Sequence, residues 1–199
     1  MFRTFISVLL LALSFTASSQ QSGEEIQPNN LFPRVKFVTS HGELVVELNR
    51  MRAPIAANNF LGYVADGSYN NTLFHRVVVD FVVQGGGFDT EWNELPTRDP
   101  IFNESGNGLT NRYGTIAMAR QSDPHSATRQ FYFNVSDNDT LNPSTRRWGY
   151  TVFGEVVSNM PLLDELAAVP VGVHEAYGYE NVPIQPLILE RVEIIPAEF

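Results

Sequence analysis

Between Phe74 and Phe88 the chain reads FHRVVVDFVVQGGGF, and this stretch constrains the fold more than any other. A short strand signal ends in Phe-His-Arg. A β-branched run follows (Val77, Val78, Val79), is broken by Asp80, and resumes with Phe81, Val82 and Val83. The run is too short and too β-branched for a helix, and Gly85–Gly87 end it. One cation (Arg76), one amide (Gln84) and one aromatic (Phe81) therefore sit on or beside a few residues of sheet. Strands fix side chains more tightly than loops do. We expect these groups to face a single apolar pocket.

At 199 residues the chain suits one domain, and 43% hydrophobic content allows it to bury a real core. A formal net charge of −9 argues against a nucleic-acid partner, which calls for a basic face. The absence of cysteine removes disulfides, thiolate nucleophiles and Cys-ligated zinc. Twelve of the thirteen basic residues are arginine. Lys36 is the one candidate for Schiff-base chemistry, and we place it on an edge strand and discount it.

The N-terminus reads as an address. Arg3 precedes an apolar run from Phe5 to Ala17, which has the length of a signal-peptide core and is short for a membrane span. Ala17-Ser18-Ser19 supplies small residues for cleavage before Gln20. No cysteine follows to carry a lipid, so no stable membrane anchor is expected. The expected organisation is a signal peptide over residues 1–19, a flexible leader over 20–34 and one domain over 35–196.

Along that domain, Val35–Thr39 and Glu43–Leu48 read as strands. In the second, Leu44, Val46 and Leu48 point one way and Glu43 and Glu47 the other. Pro54 opens a helix with Phe60 and Val64 on its apolar stripe, and Gly67 ends it. Thr72–Arg76 and Val77–Gln84 read as two strands. Glu91–Thr110 is polar and rich in turn residues, hence a long surface loop. Gly114–Ala119, Phe131–Val135, Thr151–Val157 and Leu187–Ile195 are further strands. A second short helix starts at Asn159 or Met160, with Leu162, Leu163, Leu166 and Ala167 inward. Many short strands and two helices point to a closed or nearly closed barrel with helices over its ends.

Generic catalytic motifs are mostly missing: GxSxG, HExxH and the P-loop do not occur. None of the four histidines (His41, His75, His125, His174) pairs with another at metal-ligand spacing. His75 is accounted for by packing and hydrogen bonding. Asn70, Asn103, Asn134 and Asn138 each begin an N-x-[ST] sequon, which matters only in a eukaryotic secretory pathway. Arginine is this protein's default cation, so spacing alone leaves Arg76 open between a structural and a functional role.

Taken together, the segments resemble the cyclophilins, a family of peptidyl-prolyl isomerases. FHRVVVDFVVQGGGF resembles the family's signature strand pair. GTIAMAR (Gly114–Arg120), SATRQFYFNV (Ser126–Val135) and WGYTVFGEVV (Trp148–Val157) resemble the segments that follow it, in order. The long loop and the signal peptide are most similar to periplasmic bacterial members. The resemblance implies a mainly β fold: a closed eight-stranded antiparallel barrel capped by two α-helices, with the active site on its outer face. It implies a periplasmic monomer that accelerates rotation about Xaa-Pro bonds in proline-containing polypeptides during folding of exported proteins. The reaction breaks no bond, so neither cofactor nor metal is required.

Residue by residue, Arg76 matches the catalytic arginine, and Phe81, Val82 and Gln84 the first pocket group. Ala119, Arg120 and Gln121 match a stretch that pairs through its backbone with the substrate. Gln130 and Tyr132 match the second amide and the proline-pocket aromatic; Thr140, Leu141 and Tyr150 match the far wall. Val79-Asp80 stands where the family usually has Pro-Gly, Val82 where Met is common and Tyr132 where Phe is common. Thr140 and Tyr150 replace a Trp and a His of the animal members, and the Trp binds cyclosporin there.

Two readings from other classes compete. One is a periplasmic chaperone or peptide-binding module that grips Pro-containing segments with little turnover. The other is a barrel carrying a small ligand inside. The bulky inward candidates Leu44, Val46, Leu48, Phe60 and Ile116 argue against the second.

Overall fold

The computed structural model describes residues 21–197. The expected signal peptide over residues 1–19 lies outside them.

Alternating burial builds the first hairpin. β1 (Arg34–Thr39) and β2 (Gly42–Leu48) pair antiparallel, and Val35, Phe37, Leu44, Val46 and Leu48 all point inward. α1 (Pro54–Ala65) opens on Pro54 and gives way to Gly67 at φ +66°. Its free N-terminal amides at Ile55 and Ala56 donate to the Glu104 carboxylate at 3.1 and 2.9 Å. The long loop is thus more than a surface excursion: it caps α1, and it buries Asn103 and Ser105.

The signature stretch departs from its expected form. Instead of strands at 72–76 and 77–84 there are three pieces: β3 (Thr72–Leu73), β4 (Arg76–Val78) and β5 (Val82–Gly85). Asp80 adopts φ +55°, and Phe81 N donates to Val78 O at 3.1 Å, so β4 and β5 form a tight hairpin. Aspartate tolerates the left-handed region better than most residues, which lets a β-branched run turn back on itself. After these come β6 (Thr115–Met118), β7 (Phe131–Asn134), β8 (Val152–Ser158), α2 (Met160–Ala167), β9 (Val171–Gly172), β10 (Val182–Pro183) and β11 (Ile188–Ile194). β9 and β10, unassigned from sequence, form a small ribbon of their own.

The main sheet has nine antiparallel strands in the order β3-β11-β1-β2-β8-β6-β7-β5-β4. It is a curled half-barrel and not the closed eight-stranded barrel expected. The reason lies at one break in the sheet. The two edge strands, β3 and β4, are consecutive in sequence, separated only by Phe74 and His75. At that break the Phe74 ring is buried and its N–H leaves the sheet's edge for Leu187 O at 2.9 Å. One half of the segment pairs with β11 and the other with β5, so the sheet's edges meet through the chain and not through a hydrogen-bonded ladder.

The interior is solid. Phe37, Phe60, Tyr69, Phe131, Phe133 and Phe153 interlock, with Phe37 5.2 Å from Phe133 and Phe60 5.0 Å from Tyr69. Leu44, Val46, Leu48, Phe60 and Ile116 fill the remainder at 1% exposure or less, which leaves an internal carrier no room.

Two further expectations change. β1 lies between β2 and β11, so Lys36 is on an interior strand, where it pairs with Glu193 at 2.8 Å and Glu43 at 3.5 Å. Residues 21–33 of the expected flexible leader are packed on the domain. Arg50, itself buried, donates to the carbonyls of Gly23, Ile26, Gln27 and Asn30 and to Asn58 Oδ1. Of the four sequon asparagines, Asn103, Asn134 and Asn138 are buried and only Asn70 is exposed.

Candidate active site

One register line crosses five neighbouring strands. Val152 stands beside Ala117, Ala117 beside Tyr132, Tyr132 beside Gln84, and Gln84 beside Arg76. Period-two alternation puts all of them on the outer face, while Val83, Phe131, Phe133, Ile116 and Phe153 face the core. Val82, Ala117, Tyr132 and Val152 form a second apolar cluster, separate from the core, with Phe81, Leu109, Ala119, Leu141 and Tyr150 packed around it. The result is an apolar cup on the outside of the sheet.

The rim of the cup is polar. Arg76 Nη1 donates to Gln84 Oε1 at 3.3 Å, and Gln84 Nε2 donates to Gln130 Oε1 at 3.0 Å. The Arg76 guanidinium also lies 6.0 Å from the Phe81 ring centroid. This is the hairpin's contribution: the turn at Val79-Asp80 puts Arg76 opposite Gln84, which a single extended strand would have kept apart.

Ala119 N donates to Gln130 O at 2.9 Å, which ties the end of β6 to the start of β7. Arg120 stacks 4.4 Å over Tyr150 and donates to the carbonyls of Trp148, Gly149 and Gln121. It is therefore occupied as a brace for Tyr150. The Gln121 side chain is exposed, and its backbone N–H is taken by Ser126 Oγ. A groove of about 650 Å³ runs from Gln84 and Gln130 past Ala119 to Gln121, with Leu95 and Pro96 of the long loop on its other side.

The residues Arg76, Phe81, Val82, Gln84, Ala119, Arg120, Gln121, Gln130, Tyr132, Leu141 and Tyr150, read as the site from the sequence, thus fall on this face; Thr140, read with them as far wall, is exposed on the short turn Asp139–Leu141 beside Leu141. What the sequence reading missed lies beneath them. Tyr132 is buried, and burial raises its phenol well above the ordinary range, so it stays protonated and needs a partner. That partner is Asn111, buried at the end of the long loop. The one sequence signal was the tyrosine itself, whose hydroxyl demands an acceptor.

The family described as Cyclophilin type peptidyl-prolyl cis-trans isomerase/CLD matches residues 34–194. Peptidyl-prolyl cis-trans isomerase B of Escherichia coli (strain K12) is 45% identical over 163 residues, 80% of this chain and 98% of that protein. Peptidyl-prolyl cis-trans isomerase A of Dickeya dadantii is 39% identical over 196 residues, 98% of this chain and 99% of the relative. A crystal structure of a Cryptosporidium parvum cyclophilin type peptidyl-prolyl cis-trans isomerase superposes with a TM-score of 0.68 at 26% identity, covering 84% of this chain and 99% of that one. A second crystal structure of that protein, in the presence of the dipeptide Ala-Pro, gives 0.67.

Proposed function

The chain belongs to the cyclophilin-type peptidyl-prolyl cis-trans isomerases, and from that premise we propose that it turns Xaa-Pro bonds on its outer sheet face, with Arg76 as the catalytic residue. It is an enzyme, and its family acts on proline-containing peptides. The observation that carries the site assignment is the Arg76–Gln84–Gln130 chain along the rim of the apolar cup.

Rotation about a peptide bond meets a barrier of roughly 18–20 kcal/mol because the C–N bond is partly double. Twisting the bond takes the prolyl nitrogen's lone pair out of conjugation, and the nitrogen becomes a hydrogen-bond acceptor. In this reading the Arg76 guanidinium donates to it at that moment. An interaction made only in the twisted state lowers the barrier, whereas one made equally to the planar state does not. Arginine suits the task because its fork of donors is planar and always charged. Gln84 holds one guanidinium nitrogen and so fixes the direction of the others. The proline ring enters the cup between Phe81, Val82, Tyr132 and Leu141, with Tyr150 braced by Arg120 behind it. The substrate backbone lies along Ala119, Arg120 and Gln121, and Gln84 and Gln130 meet its carbonyls.

A direct test is to titrate an Ala-Pro peptide into isotope-labelled protein. Amide signals of Val82, Gln84, Ala119 and Tyr132 should move; shifts confined to another face contradict the assignment.

The proposed setting is the periplasm, where the enzyme would assist the folding of exported proteins. Support comes from Arg3, the leucine-rich run after it and the small residues Ala17-Ser18-Ser19. Mass analysis of protein from its native host should find a mature N-terminus near Gln20. An intact Met1 contradicts export by cleavage.

A further inference from the structure

Arg76 has a second neighbourhood. The loop between β9 and β10 lies against the outer edge of β4, where Val77 N donates to Asn181 O at 2.8 Å. Two backbone bonds tighten this loop: His174 N to Tyr179 O at 2.8 Å and Gly178 N to His174 O at 2.7 Å. The turn presents Tyr177 and Tyr179 stacked on each other at 5.7 Å, 54% and 46% exposed. From the long loop, Trp92 reaches to 4.4 Å from His174 and 6.3 Å from both tyrosines. Phe88, next to the triple glycine, lies 5.6 Å from Trp92 and 6.2 Å from Tyr179.

These rings form one continuous ledge on the surface. It borders a groove of about 540 Å³ walled by His75, Arg76, Phe88, Tyr179, Glu180 and Asn181. Arg76 therefore stands between the cup on one side, through Phe81, and the ledge on the other, through Tyr179. Pinning the loop to the body requires only the half-buried Trp92 and Phe88. Two tyrosines with about half their surface in water go beyond that need, and contiguous exposed apolar surface of this kind marks a binding face.

We propose that the aromatic ledge is an extended subsite of the isomerase, holding an aromatic side chain of the substrate polypeptide near the proline in sequence. The proposal rests on the assignment of Arg76 to the catalytic site. A polypeptide whose proline occupies the cup must leave it on both sides, and extended chain advances about 3.3–3.6 Å per residue. One exit is the groove along Gln84, Ala119 and Gln121; the other passes Arg76 onto the ledge. Ring faces accept an aromatic partner through offset or edge contacts with little demand on its exact sequence. The ledge would thus select unfolded segments in which proline lies near an exposed aromatic residue.

The test compares Ala-Pro peptides that carry Phe two to four residues from the proline, on each side in turn, with the same peptides carrying Ala. For the intact protein, KM should be about fivefold lower for the Phe peptide on one side. Nuclear magnetic resonance should show the Trp92 indole N–H shifting with that peptide and not with its Ala counterpart. In the double variant Tyr177→Ser/Tyr179→Ser the ratio of the two KM values should fall to about one, while Tyr177→Phe/Tyr179→Phe keeps it. Equal KM for Phe and Ala peptides in the intact protein overturns the ledge while leaving the Arg76 assignment standing. So does a Phe preference that survives the double Ser variant. Peptide-induced shifts absent from Val82 and Gln84 overturn the underlying site, and the ledge with it. The Trp92 signal is read on the unaltered chain, so the outcome does not depend on how the variants fold.

Discussion

The Tyr132 hydroxyl donates to Asn111 Oδ1 at 2.7 Å beneath the apolar cup. Asn111 in turn donates from both its backbone and its side chain to Asn142 Oδ1, next to Leu141. Asn134 Nδ2 reaches the same Asn111 oxygen at 3.2 Å, and Asn138 Nδ2 holds Phe81 O at 2.8 Å. Asparagines thus tie together the floor of the cup and two of its walls. Asn111→Ala should cost about 2–3 kcal/mol, because it strands the buried Tyr132 hydroxyl and takes one of the two acceptors of the Asn134 amide, which keeps Thr115 Oγ1. Tyr132→Phe should cost about 1 kcal/mol and retain most turnover, since the ring stays. The double variant should cost less than the two singles together. Denaturant melts of the three proteins check this, and strict additivity contradicts it.

Gln130 is held in a narrow space. A Cβ on Gly87 would lie 2.4 Å from Gln130 Nε2 and 2.7 Å from its Cδ. Gly87→Ala should push that side chain off Gln84 and lower kcat/KM about tenfold, as expected if about 1.4 kcal/mol of transition-state stabilisation is lost. Unchanged kcat/KM would mean that the Gln84–Gln130 bond does not organise the rim.

Arg50 binds the segment ahead of β1 through four backbone carbonyls, without an ion-pair partner among the described residues. Arg50→Ala should leave those carbonyls short of a donor and cost about 3 kcal/mol. The melting temperature should fall by roughly 6–12 °C. Limited proteolysis should open cleavage between residues 23 and 30 before the domain itself is cut. A variant as resistant as the parent contradicts the clamp.

Acid should weaken the fold through His75. Burial, with the Arg76 charge beside it, lowers this imidazole from 6.5 to about 4. Between these values the unfolded chain takes up a proton that the folded protein refuses, so stability rises with pH across this window and is lost on acidification. Above the window His75 contributes no slope. His75→Leu keeps bulk against Phe88 and cannot charge. Its melting temperature should drop less than the parent's between about pH 7 and about pH 5. Equal drops would rule His75 out as an acid-sensitive group.

Much of this was legible in the sequence, for local reasons. Leu44, Val46 and Leu48 alternate, Pro54 and Gly67 bracket α1, and the signature stretch carries its own residue types. One unread feature is local, and the others depend on distant partners. Asp80's turn hides in a β-branched run whose composition says only strand. The half-barrel's open edge depends on Thr72 and Leu73 finding Ile188 and Leu189 across the chain. Arg50 is satisfied by backbone carbonyls, which have no sequence signature, so the leader looked free. The outer-face residues lie in stretches that resemble family motifs, so the sequence points to them; Asn111, which lies beneath them, is on a loop with no motif.

The central claim is that Arg76 stabilises the twisted prolyl bond. The most direct measurement is kcat/KM for an Xaa-Pro peptide in the parent, Arg76→Lys and Arg76→Ala, with matched thermal melts. Lysine keeps the charge and loses the planar fork, so turnover should fall sharply. Alanine should fall further, on the order of a hundredfold if about 3 kcal/mol of transition-state stabilisation is lost. The loss should appear in kcat more than in peptide affinity, and melting temperatures should barely move. Near-normal turnover by a folded Arg76→Ala protein would contradict the account.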